Sequence, residues 1–142
     1  MRMSGFARML LLLTSILAAY QVSVGIDGLE TLPVIAYTIA FGVLLVAGLL
    51  LLILGFEILD SPVVIIISTV IPLSLSFGLV WEHLDVWRIP YLIFAILGFG
   101  AIIITRSVMS PGKVALLILV LVHGIAGLII FLLPIAFAMT RQ

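Results

Sequence analysis

Apolar side chains run along this chain in long unbroken stretches, and the polar ones gather in the short gaps between them. A helix crossing the hydrocarbon core of a bilayer needs about 20 apolar residues. Five stretches approach or exceed that length: Phe6–Val24, Pro33–Leu59, Pro62–Trp81, Pro90–Thr105 and Lys113–Thr140. The fourth is the shortest. A membrane strand alternates apolar and polar positions, and the run from Leu49 to Leu54 does not. The pattern therefore predicts an all-α integral membrane protein, a bundle of about five transmembrane helices forming one domain over residues 1–142. Failure of the first or fourth helix would leave four.

The predicted boundaries share one device. Pro33, Pro62, Pro90 and Pro111 each fall in the first turn of a helix, where the missing N–H has no helical partner to lose. Ser61 and Ser110 precede two of these prolines and are placed to cap the free amides. The turn Asp60-Ser61-Pro62 is so short that helices two and three should form a tight antiparallel hairpin; Arg106 to Gly112 gives helices four and five a longer link. The start has some look of a secretory leader, with Arg2 and Arg8 ahead of an apolar run and Ala18, Ala19 and Gly25 near its end. Its length favours a retained membrane helix. All connections are short, so any function must lie within the bilayer, at its two rims, or on a partner.

Composition adds the solvent. Of 142 residues, 65% are apolar and 8% charged. A water-soluble domain needs about a quarter charged residues to cover its surface, so the predicted surroundings are lipid. Six basic residues balance six acidic ones, which offers nucleic acid no basic patch. Cysteine is absent, which removes disulfides, thiolate metal sites and cysteine nucleophiles. For orientation, Arg2, Arg8, Arg106 and Lys113 fall on one side and Arg88 and Arg141 on the other. The positive-inside rule then places the N-terminus in the cytoplasm and the C-terminus outside, with Trp81, Trp87 and Tyr91 at the outer interface. An offset of 49 residues lays Ser61-Pro62 on Ser110-Pro111 and Gly78-Leu79 on Gly127-Leu128, as a short parallel duplication would, but four matches are a weak signal in a chain so rich in Leu, Ile and Val.

His123 is the one ionisable residue deep within the last stretch. It lies ten residues after Lys113, roughly 15 Å along a helix and so near mid-bilayer. Such a residue is a functional candidate by default: a polar clasp to a neighbouring helix, an axial ligand for a haem or pigment, or a proton or substrate group. Gly124, Ala126 and Gly127 beside it would let a flat ring approach. His83, the only other histidine, belongs at the rim, about 15 Å away in depth. One iron therefore cannot take both. On helix three, Ser68, Pro72 and Ser76 recur every fourth residue with Thr69 alongside. Pro72 withholds the hydrogen bond due to the Ser68 carbonyl. These residues, with His123 and Glu57, define a candidate polar path; helix packing by small polar residues is the plainer reading.

Other features have plain readings as well. Glu82, His83 and Asp85 could hold a divalent cation, but a solvated rim paired with Arg88 explains them. Glu57 and Asp60 at the opposite rim can pair with Arg106 and Lys113, or mark the mouth of a proton path. Ala95, Gly98, Ala101 and Thr105 on helix four, and Ala36, Ala40 and Ala47 on helix two, form small-residue faces suited to helix contacts. No phosphate-binding loop, zinc-protease helix or serine-hydrolase motif is present. The sequence thus points to a non-catalytic membrane subunit of a larger complex, partnered by lipid and by other subunits or itself. Its rivals are a small homo-oligomeric transporter or channel and a haem-, pigment- or quinone-binding subunit using His123. No cofactor is required by the sequence, and no metal site is assigned.

Overall fold

The computed structural model describes residues 4–108 and 112–140, apart from the Asp60 side chain. Its helices are α1 (Gly5–Val24), α2 (Thr31–Leu54), α3 (Pro62–His83), α4 (Arg88–Ser107) and α5 (Lys113–Thr140). Short 3-10 turns, Phe56–Asp60 and Asp85–Trp87, precede α3 and α4. All five helices are long and apolar enough to cross a membrane, and no strand occurs among the described residues.

Local chemistry sets the helix ends. Ser4 opens α1 by accepting the Ala7 amide at 3.2 Å, the usual service of an N-cap serine. α1 and α2 both stop at a glycine, Gly25 at φ 74° and Gly55 at φ 80°. Only glycine enters this region without a steric penalty. Apolarity predicted α2 as far as Leu59; it ends at Leu54, because Gly55 turns the backbone and the apolar residues after it continue in a 3-10 turn. Pro62 occupies the first position of α3 as expected, but the Ser61 side chain makes no capping bond, which corrects that expectation. Pro33 and Pro90 also lie in first turns. α4 is longer than its apolar core, since the Asp85–Trp87 turn feeds into it from Arg88. The proposed cap at Ser110 and Pro111, and the charges of Arg2 and Arg141, lie outside the described residues.

α3 is the hub. It packs against α2, α4 and α5; α4 also meets α5, and the α1 backbone approaches α2 alone. The helices therefore form an open array. Its tightest core joins Leu73 of α3, Ile102 of α4, and Val122 and Ala126 of α5. The small-residue faces turn inward. Ala36 and Ala40 are buried, Gly98 leaves room only for Val122, and a Cβ on Gly48 would collide with Ser15 Oγ. Gly78 matters most: a Cβ there would come within 2.5 Å of the Tyr37 ring. Gly127, its counterpart at the 49-residue offset, has nothing near it. The two glycines thus occupy different settings.

Replacing Gly78 by Ala should therefore cost the purified chain about 1–3 kcal/mol through overpacking. Gly127→Ala should be neutral or stabilising by up to about 1 kcal/mol from helix propensity. Unfolding by titration with a denaturing detergent, followed by circular dichroism, checks this; equal destabilisation by both would contradict the packing described.

Candidate functional site

The polar stripe of α3 divides between two neighbourhoods. Ser68 lines an apolar hollow of about 240 Å³ walled by α1 and α2 through residues such as Leu11, Gly48 and Leu51. Ser76 is fully buried on the side of α4, where it receives the Tyr91 hydroxyl at 2.5 Å. It passes its own proton to the Pro72 carbonyl at 2.5 Å or that of Leu73 at 3.1 Å. Ser68 and Thr69 both donate to the Ile65 carbonyl, at 3.0 and 2.8 Å. Each hydroxyl is thus satisfied on its own helix, as small polar groups in apolar surroundings require. Tyr91, which the sequence offered only as an interfacial ring, is the polar partner that Ser76 uses. Glu57 stands exposed on the 3-10 turn ahead of α3, at the opposite rim from His83.

His123 joins none of these groups. Its Nδ1 is buried without a well-formed hydrogen bond, with the Leu119 carbonyl one turn back as its nearest recourse. It makes no hydrogen bond to a neighbouring helix among the described residues. Beside it, Gly124 and Gly127 are exposed, and a Cβ at either would touch nothing. Its distance from His83 can be read along α5: the His83 ring packs against Phe137 at 4.7 Å between centroids. Phe137 is fourteen residues beyond His123, about 21 Å of helix. No single metal centre joins the two histidines.

The densest polar grouping lies where α3 ends. Arg88 donates from Nε to the Trp81 carbonyl at 2.6 Å, pairs with Asp85 at 2.8 Å, and approaches Glu30 at 3.9 Å. Its guanidinium stands 5.3 Å from the centre of the Trp81 ring, whose N–H donates to Glu30 at 3.1 Å. This clasp ties the start of α2 to the α3–α4 turn. Next to it, Glu82 Oε2 accepts the Tyr37 hydroxyl at 3.4 Å and lies 3.9 Å from His83 Nδ1. Asp85 and Glu82 are therefore engaged separately, and no metal-holding group of three ligands occurs among the described residues.

Tyr37 and His83 also border a cleft. α2 and α5 flank α3 without their backbones meeting. A hollow of about 370 Å³ lies between them, and one of about 300 Å³ adjoins it between α3 and α5. Leu79 and Pro134 line both hollows. Tyr37, Phe41 and Ile130 line the larger, and His83 and Phe137 the smaller. Pro134 was a legible signal that the sequence reading passed over. Inside a helix it deprives the Ile130 carbonyl of its donor. With the geometry in hand, comparison adds no relative: no known protein family, curated protein or solved structure matches this chain.

The Ser76–Tyr91 bond is a buried side-chain link between α3 and α4, and a double-mutant cycle measures it. Ser76→Ala and Tyr91→Phe should couple by about 0.6 kcal/mol, up to about 1.7, the range for such bonds between membrane helices. Additive effects on unfolding free energy would show that the bond contributes nothing.

Proposed function

We propose that the chain lies in a lipid bilayer as a multi-pass, non-catalytic subunit of a larger membrane assembly. The observation that carries this reading is His123. A polar ring at mid-span makes no hydrogen bond to a neighbouring helix among the described residues; its Nδ1 is covered by its own chain, the residue as a whole is half-buried, and a polar ring left open to hydrocarbon is costly. The glycines beside it leave α5 without side-chain bulk on an uncovered face, which is where another helix approaches closely. The other small-residue faces are already used inside the chain. α5 is the longest and most apolar of the five helices, yet it is no more buried than the peripheral α1. In this reading the rim with Arg8, Arg106 and Lys113 faces the cytoplasm. A transport path through Ser68, Thr69, Ser76 and His123 has less support, since Ser68 and Ser76 face different neighbours.

Native mass spectrometry of the protein, gently extracted from its own membrane, tests the proposal. Other polypeptides in fixed ratio are expected, and His123→Ala should weaken their retention about 3- to 30-fold, the equivalent of a polar contact worth about 0.6–2 kcal/mol. A lone monomer without bound mass would overturn it. A bare homo-oligomer would favour transport, and the added mass of a macrocycle or quinone would make His123 a ligand.

A further inference from the structure

The cleft between α2 and α5 has a consistent chemical character. Its body is apolar, formed by Phe41, Leu75, Leu79 and Ile130. The polar groups on and beside its walls are mostly acceptors. Glu82 lines neither hollow itself, but its carboxylate stands 3.4 Å from the Tyr37 hydroxyl on the wall of the larger and 3.9 Å from His83 Nδ1 on the wall of the smaller. Among the described residues no lysine or arginine pairs with Glu82: Arg88 serves Asp85 and Glu30 instead. His83 Nδ1 faces only acceptors, the Leu79 carbonyl at 3.2 Å and Glu82 at 3.9 Å. Gln21, at the α1 edge of the cleft, directs its amide N–H to the Gly25 carbonyl at 3.5 Å. That leaves its amide oxygen as an acceptor. The Ile130 carbonyl lacks a helical donor because of Pro134. The Tyr37 hydroxyl, a donor on the same wall, is already given to Glu82.

A site built of acceptors, one of them anionic, selects a ligand that brings donors and positive charge. We infer that this cleft binds an amphiphile with a protonated amine head and an apolar tail. The ammonium lies at Glu82, within reach of His83, and the tail runs over Leu79 towards Phe41 and Leu75. The surrounding rim reinforces the choice. Asp27, Glu30, Glu82 and Asp85 outnumber Arg88 there, so the local field favours cations and disfavours anionic head groups. Aromatic rings at Tyr37 and Phe137 add faces that attract ammonium groups. The inference stands apart from the assembly reading, because it uses none of the α5 face around His123.

The test is equilibrium binding of radiolabelled dodecylamine to the full chain in phosphatidylcholine nanodiscs, against empty nanodiscs, with unlabelled dodecylamine and uncharged dodecanol as competitors. Saturable binding displaced by the amine and not by the alcohol is expected. Glu82→Gln should weaken it about tenfold or more, the loss of one charge-assisted hydrogen bond. Asp85→Asn, which removes equal charge from the same rim outside the cleft, should change it less than about twofold. Binding no greater than to empty nanodiscs, or equal displacement by dodecanol, would overturn the inference, and both readings come from the unaltered protein. Equal weakening by the two variants would overturn it as well, by reducing it to a general rim charge. Competition by added phosphatidylethanolamine would identify the ligand as a membrane aminolipid; its absence would assign the cleft to soluble lipophilic amines.

Discussion

Hydrocarbon supplies no hydrogen bonds, and for a chain that lies in a bilayer, as proposed, that constraint accounts for most of the polar features within its helices. A backbone in such a solvent must satisfy itself, which leaves helices as the form for these apolar runs. Side chains obey the same demand. Ser15, Ser23, Thr14, Thr69 and Thr105 each donate to a carbonyl one turn back on their own helix. Ser76 goes further and links two helices through Tyr91. Against that background His123 stands out because it lacks a comparable link, and Glu82 because no lysine or arginine pairs with its carboxylate among the described residues.

Association between the helices has a different origin. Lipid tails are as apolar as leucine, so burial of leucine contributes little to helix contacts, and close backbone approach contributes more. The contact of Tyr37 with Gly78 shows how this works. The missing side chain lets the ring lie along α3, and the hydroxyl then reaches Glu82 one turn further on. Packing, register and the polar rim are thereby set by one pair of helices. Arg88 fixes the same end from the other side, joining Trp81, Asp85 and Glu30.

The helices were legible because apolar runs of this length admit no other structure, and first-turn prolines marked their starts. The end of α2 was less so: Gly55 ends the helix through a local dihedral, while apolarity continues to Leu59. The stripe of Ser68, Pro72 and Ser76 read as one surface because four-residue spacing nearly repeats the helical turn. Each step still drifts by about 40°, so residues eight apart face different neighbours. His123 was found as a lone polar residue in an apolar run. The cleft was invisible, since Tyr37, Glu82, His83 and Pro134 come from three helices whose arrangement the sequence does not state. Gln21, Tyr37 and Pro134 carry chemical meaning only once they share a wall.

All of this rests on the chain crossing a bilayer so that the Asp85 rim and the Glu57 rim lie on opposite faces. The absence of cysteine provides a clean background for the direct measurement. Single cysteines at Asp27, Asp85 and Glu57 would be exposed to a membrane-impermeant maleimide in sealed vesicles of one orientation. The account predicts that Asp27→Cys and Asp85→Cys label from the same side and Glu57→Cys only from the other. Labelling of all three from one side would contradict it.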